Sequence, residues 1–307
     1  MTVPVLDPAD IARTLQVTLG EMPQPLFAVL DGALFDDLPG ELLSAGFSCR
    51  SLFLEHGDKE VERAGPWLFA LDDERALSHG AALAFAQPCA VFWSCAEGEM
   101  ALWRHLRTLN EVLIPLDAEG QGPLAQTPLG YERAMFRHWD PNVLAGVMPL
   151  LDAAQFARVF GPGAYILINA PDYGGLKRIP RPDALPPAPH GPLRLSPDQI
   201  AGISSAIVTA SHRRNMAYLR RVAPDHSKDM TDAQLASHVS GSIAAGRELG
   251  LQSERAHWKW SYLMLVTNGE IASAPQVRSG FANSGYDADR TLDYIMRDTI
   301  FRLKNGR

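Results

Sequence analysis

The chain has 307 residues, enough to bury more than one core. With 46% hydrophobic and 21% charged residues it has the balance of a globular protein, which excludes disorder throughout. A formal charge of −7 argues against nucleic acid as the main partner, and no apolar run approaches the ~18–20 residues of a membrane span.

The negative charge is uneven. Residues 1–170 hold 10 Lys and Arg against 22 Asp and Glu, a formal −12, whereas residues 171–307 hold 18 against 13, a formal +5. Opposite signs help two parts dock or attract different partners; the plainer reading is ordinary solvated surface. The opening stretch MTVPVLDPADIARTL has no basic start followed by an apolar core, so no signal peptide is expected. Cys49, Cys89 and Cys95 are sparse, odd in number and match no zinc spacing; they are expected to be buried thiols in a reducing, cytoplasmic setting.

Residues 8–21 predict an amphipathic helix with Ile11, Leu15 and Leu19 on one side, broken by Pro23 and Pro25. Residues 26–30 (LFAVL) predict a buried strand ending at Asp31-Gly32. Asp31, Asp36 and Asp37 place three carboxylates in one short stretch. They suit either a metal site or, with no further ligand at a fixed spacing, a turn cap at Asp31 and a helix start before residues 38–45. Residues 65–71 (GPWLFAL) predict a second strand, in which Trp67 is either core or a partner-binding aromatic. A small helix is expected over 80–86. Residues 88–94 (PCAVFWS) predict a third strand. Strands without polar alternation are covered on both faces, which points to an α/β layer arrangement.

Residues 100–109 predict a helix with Leu102, Leu106 and Leu109 inward and Arg104 and Arg107 toward solvent. Residues 112–116 predict an edge strand and residues 118–130 a loop. A strand is expected over 134–139. Asp140-Pro141 then opens a helix, because Asp accepts from first-turn N–H groups and Pro at the first position loses none. Val143, Leu144, Val147, Leu150 and Leu151 form its stripe. Asp152 caps a second helix with Phe156, Val159 and Phe160 inward, and Gly161-Pro162 stops it. Arg137 and Asp140 are a candidate buried ion pair beside the strand end. Residues 164–169 predict a last buried strand. Residues 1–170 thus predict an α/β lobe with a mixed sheet.

Residues 171–194 are rich in Pro and read as an extended linker. Residues 195–307 predict a smaller, four-helix lobe. Ser196 with Gln199 and Thr231 with Gln234 have capping-box spacing. The first helix carries Ile200, Ile203 and Ile207 and runs to Leu219. The second carries Leu235, Val239, Ile243 and Leu249 and ends at Gly250. Ser253 starts a third, with Trp258, Tyr262 and Leu265 on one face and Asn268-Gly269 at its end. Asp287 starts a fourth, with Leu292, Ile295, Met296, Ile300 and Leu303 inward. Residues 271–285 show no period and are expected to be loop.

No hydrolase elbow, zinc-protease pair, phosphate loop or dinucleotide fingerprint is present in the sequence. His212-Arg213-Arg214 is a basic cluster on a helix, either a contact for an acidic partner or a solvated face. A site assembled from distant residues does not show in sequence, so a hydrolase-type enzyme stays open, as does an oligomerising structural component.

Several of these stretches carry a family resemblance. Phe27-Ala28-Val29-Leu30-Asp31-Gly32-Ala33, Arg50 with Leu52-Phe53, and Ala64-Gly65-Pro66-Trp67-Leu68 occur in order. Leu102 with His105-Leu106-Arg107 follows, then Phe136-Arg137, Trp139-Asp140-Pro141 and Val143-Leu144, and Gln155 through Gly161-Pro162. Together they resemble the type VI secretion effector-adaptor (chaperone) family over about residues 26–170. Leu195–Gln199 and Ala245–Leu251 resemble its helical lobe, and the 268–280 stretch departs from it. The resemblance implies a cytoplasmic adaptor that binds a secreted effector protein and the VgrG spike protein, without catalysis. It implies no cofactor, no nucleic acid and no membrane, and a monomer when free. It marks Asp31, Gly32, Arg50, Trp67, Arg137, Asp140, Pro141, Gly161 and Pro162 as structural motif residues, with the possibility open that the enzyme reading applies to a hydrolase encoded beside such effectors.

Overall fold

The computed structural model describes residues 8–53, 58–116, 130–283 and 287–304. The chain forms two compact units, Met1–Ala206 and Ile207–Arg307.

The first unit runs α1 (Pro8–Gly20), β1 (Leu26–Asp31), α2 (Leu38–Ser44), β2 (Cys49–Ser51), α3 (Lys59–Arg63), β3 (Pro66–Ala70), α4 (Glu74–Ala86), β4 (Ala90–Ser94) and α5 (Glu99–Leu106). It continues with β5 (Glu111–Pro115), β6 (Tyr131–Met135), α6 (Pro141–Val147), α7 (Ala153–Phe160), β7 (Tyr165–Ala170), β8 (Gly175–Pro180), β9 (Leu193–Arg194) and the start of α8 (Pro197–Val222). The principal sheet has the order β2-β3-β1-β4-β7-β8, and every neighbouring pair is antiparallel. A small second sheet, β6-β5-β9, pairs β5 with β6 antiparallel and with β9 parallel, so the mixed pairing expected from sequence lies there.

The unbroken apolar runs have the predicted cause. Side chains alternate faces along a strand, so a strand buried on both sides is apolar at every position. Leu26, Ala28 and Leu30 of β1 join Phe92 of β4 on one face, under Leu15 and Leu19 of α1 and Leu38 and Leu42 of α2. Phe27 and Val29 join Trp93 and Ile166 on the other, against Leu102 and Leu106 of α5, Leu144 of α6, Phe160 of α7 and Val112 of β5. Each such side chain contributes about 1.5–3 kcal/mol on burial, so a charge at Val29, which is fully buried, would break the layer.

The helix starts follow local chemistry. The carboxylates of Asp37, Asp73, Asp140 and Asp152 accept from N–H groups in the first turns of α2, α4, α6 and α7. Gln155 completes a capping box with Asp152. Asp73 caps α4, which starts at Glu74, six residues before the predicted 80–86 helix, a cap the sequence reading passed over.

Four further expectations change. The strand predicted over 134–139 lies at Tyr131–Met135 instead. Residues 136–140 turn, with the Asp140 N–H bonded to the Arg137 carbonyl, which lets Phe136 and Trp139 both point into the core. β5, expected at an edge, is the central strand of its sheet. Arg107 is half-buried rather than solvent-facing. The Pro-rich 171–194 stretch supplies β8, paired with β7 from Ala170↔Gly175 to Tyr165↔Pro180, and the short β9. Pro180 sits at the edge strand's end, where a missing N–H costs no ladder bond. The 118–129 part of the predicted loop and the Ile11 side chain lie outside the described residues.

The second unit holds the rest of α8, then α9 (Pro224–Ser227), α10 (Asp232–Glu248), α11 (Glu254–Val266), α12 (Pro275–Asn283) and α13 (Ala288–Lys304). The predicted capping box at Thr231 and caps at Ser253 and Asp287 are in place. One core gathers Leu219, Leu235, Val239, Ile243 and Leu265; another gathers Leu251, Trp260, Leu263, Ile271 and Leu292. Trp260, which the expected Trp258–Tyr262–Leu265 stripe leaves out, is the fully buried indole of α11, while Trp258 is half-buried. The 271–285 stretch expected as loop contains α12, whose Val277 is buried. Its Pro275 start and short length gave no full period to read. Ile300 and Leu303 of α13 lie outside the residues whose side chains are described.

Candidate functional site

Six of the nine motif residues meet at one end of β1. Asp31, the last residue of β1, is opposite Pro66 in β3. Its Oδ1 accepts from the Ala33 N–H at 3.2 Å, the predicted turn cap, and its Oδ2 accepts from Arg137 Nη2 at 2.5 Å. Arg137 lies 3.7 Å from Asp140 Oδ2, so one guanidinium joins the end of β1 to the cap of α6. The pair expected from spacing, Arg137 with Asp140, is thus the weaker contact. The closer partner is Asp31, with only 3% of its side chain exposed against 44% for Arg137. Asp140 caps Asn142 and Val143, and Pro141 is buried at the first position of α6.

Gly32 is forced by a close approach. A Cβ there would lie 2.3 Å from the Arg63 carbonyl oxygen and 2.5 Å from that of Gly65, with Trp67 at 3.2 Å. The Trp67 indole N–H donates to the same Arg63 carbonyl at 3.2 Å, and its ring is half-buried against the core. Arg50 stands apart from this cluster, in an exposed ion pair with Glu99 at 2.5 Å.

Gly161 and Pro162 end α7 beside His105 of α5. Gly161 has φ +50°, and a Cβ there would fall 2.3 Å from the His105 ring. His105 Nε2 bonds the Val159 carbonyl at 2.9 Å, and burial pushes its pKa down to about 4, with Arg158 and Arg181 adding to the effect. A neutral His105 that donates from Nε2 ties α5 to α7. That is a structural role for a ring that by its shifted pKa alone would be a candidate base.

His105 also lines an open groove of about 1010 Å³ in this unit. Residues 107–111 cross it. Phe53, Val61 and Met135 give it apolar surface, and Ala188 to Pro192 supply another part of its lining. Arg158 Nε donates to the Gly191 carbonyl at 2.9 Å and Nη2 to the Thr108 carbonyl at 2.7 Å, which ties the Pro-rich stretch through α7 to the turn after α5. Burial lowers the Arg158 pKa. Behind the groove, His138 is fully buried, its pKa pushed down to about 3 by burial, and Nε2 bonds Asn110 Oδ1 at 3.1 Å. Asn110 in turn donates to the Leu52 carbonyl at 2.9 Å. Sequence reasoning found the glycines and His105 as motif letters but not the groove, because its lining comes from six separate stretches.

Among the described residues no three His, Cys, Asp or Glu side chains are placed to hold a metal ion. Asp31 and Asp37 are committed to caps. No helix is long and apolar enough to cross a membrane among the described residues. In the second unit Arg214 of the basic cluster pairs with Glu254 at 2.7 Å, and His212 lines a recess of about 540 Å³ with Arg247 and Trp258.

Residues 26–158 match the family model described as "Domain of unknown function (DUF4123)". The match begins at β1 and ends in α7, so it covers both motif clusters up to Arg158, while Gly161, Pro162 and the helical unit lie beyond it. No curated protein and no solved structure matches the chain.

Proposed function

We infer that the protein is an adaptor that binds a type VI secretion effector and helps to load it onto the VgrG spike, working by binding without turnover. The observation that carries this reading is the match of residues 26–158 to the DUF4123 family model, over the stretch whose ordered motifs resemble the effector-adaptor family. The site chemistry is compatible with it. The motif residues serve the framework: Asp31–Arg137 joins β1 to α6, Gly32 admits the Arg63–Gly65 turn, and Gly161 admits His105. That framework holds open a wide groove with apolar and guanidinium surface, the character of a protein-binding recess. The protein acts in the cytoplasm and is a monomer before it meets its partners.

The test is co-expression of the tagged full chain with the effector and spike proteins encoded beside it. Both should come down on the tag, and the effector should stay soluble only when the adaptor is present. A chain that captures neither, and leaves effector solubility unchanged, would sink the reading.

A further inference from the structure

The groove carries more positive charge than it neutralises. Arg133 pairs with Glu111 at 2.8 Å, so those two cancel. Arg158 is only 8% exposed, and its hydrogen bonds go to neutral acceptors, the Gly191 carbonyl and the carbonyl and hydroxyl of Thr108. The Arg107 guanidinium carbon lies 4.2 Å from the centre of the Trp103 ring, and its Nε is buried with no hydrogen-bond partner. Among the described residues neither arginine has a carboxylate within ion-pair distance. Two unneutralised guanidiniums therefore share one recess, within a 1–170 stretch whose formal charge is −12. A partly desolvated guanidinium gains most from a carboxylate, which can take two of its N–H groups at once.

The rest of the lining selects the form of the anion. Val61 is 51% exposed and Met135 64% exposed, so apolar surface stands in water beside the charge. β6 borders the groove through Arg133, Ala134 and Met135. The Phe136 N–H bonds the Asn110 carbonyl, and antiparallel alternation then turns the main-chain groups of Arg133 and Met135 away from β5. Among the described residues no strand pairs with that side of β6. A small anion would leave the apolar surface and the strand edge unused. An extended polypeptide uses all three.

We propose that this groove takes an extended, acidic segment of a partner protein, an inference that rests on the adaptor reading and names the chemistry of what is bound. Its carboxylates meet Arg107 and Arg158, its apolar side chains cover Val61 and Met135, and its main chain borders the free edge of β6. Arg107 and Met135 are the specificity-determining positions that can be changed without disturbing the Arg158 hydrogen bonds.

The experiment uses the full chain and fluorescent peptides tiled across the neighbouring effector and spike proteins, with a labelled single-stranded DNA as counter-probe. The tiles that bind should be net acidic, should weaken about tenfold against Arg107→Gln, should weaken against Met135→Ser, and should lose affinity as salt rises. Gln-for-Glu and Asn-for-Asp versions of the same tiles should bind at least about tenfold more weakly. Binding tiles without acidic residues, binding indifferent to Arg107→Gln, or Arg107-dependent binding of the DNA alone would overturn the proposal. So would capture of the whole effector or spike with no binding tile, and in that case the adaptor reading stands. If neither whole protein is captured, the adaptor reading itself has failed. Circular dichroism and thermal melts of both variants exclude a folding defect as the cause.

Discussion

Arg137 Nη2 donates to Asp31 Oδ2 across 106 residues of sequence, at the same 2.5 Å as the Arg50–Glu99 pair, yet the two pairs differ in worth. Asp31 is buried, whereas Arg50 and Glu99 keep 51% and 36% of their side chains exposed. Removing Arg137 strands a carboxylate away from water; removing Arg50 leaves Glu99 solvated. Arg137→Ala should therefore cost about 1–3 kcal/mol, discounted for the exposed guanidinium, and Arg50→Ala under about 1 kcal/mol. Urea unfolding of both variants checks this, and equal losses would contradict it.

Gly32 and Gly161 make a second pair of expectations. A methyl at Gly32 meets backbone carbonyls, and one at Gly161 meets the His105 ring from a positive φ, so neither neighbour can move aside cheaply. Each Gly→Ala change should cost about 2–4 kcal/mol or prevent folding. Gly174 is in the left-handed region (φ +101°, ψ 16°) with only the flexible Lys177 Cε near, at 3.8 Å, so Gly174→Ala should cost only about 1–2 kcal/mol. Melting temperatures of the three variants rank the effects.

Acid should weaken the first unit before its carboxylates titrate. His138 is held neutral, its folded pKa depressed from 6.5 to about 3. The unfolded chain takes up this proton below about pH 6.5 and the folded chain does not. The contribution to stability is therefore complete above that pH and is lost as pH falls toward 3, with a slope of at most about 1.4 kcal/mol per unit. His105, depressed to about 4, acts in the same direction between 6.5 and 4. Urea midpoints near pH 7 and near pH 5 should differ accordingly, and His138→Asn, which cannot titrate, should show the shallower dependence.

The three thiols should be slow in the native protein. Burial pushes Cys49 up to about 11 and Cys89 up to about 12, and raises Cys95, so the thiolate fraction near neutral pH is very small. A disulfide-exchange reagent should titrate all three quickly in denaturant and hardly at all in the native state. The half-buried Cys49 should be the first to react, so Cys49→Ser should remove the fastest native phase.

Much of the framework was legible from neighbours along the chain. Asp37, Asp140, Asp152, Thr231, Ser253 and Asp287 cap helices where their sequence context places them, because a cap needs only N–H groups two or three residues away. LFAVL and CAVFWS became buried strands because apolar residues on both faces leave them no solvent side. The motif letters around Asp31, Trp67 and Asp140 were visible too, though not their meeting at one end of β1.

The rest depended on distant partners. The Pro-rich 171–194 stretch looks like a spacer by composition, yet β8 is a strand because β7 offers an unpaired edge with matching hydrogen-bond groups. Arg137 has Asp140 three residues away and still pairs more closely with Asp31, since strand order brings the end of β1 to the turn after β6. The groove is the extreme case: Phe53, Arg107, Met135, Arg158 and Gly191 come from separate stretches, and no local pattern links them. The sequence alone determined caps, breaks and buried runs, which are short-range and repeated at every turn or strand. Only the tertiary structure decided pairings and recesses, because those depend on which long loops close and on what the packed layers leave uncovered.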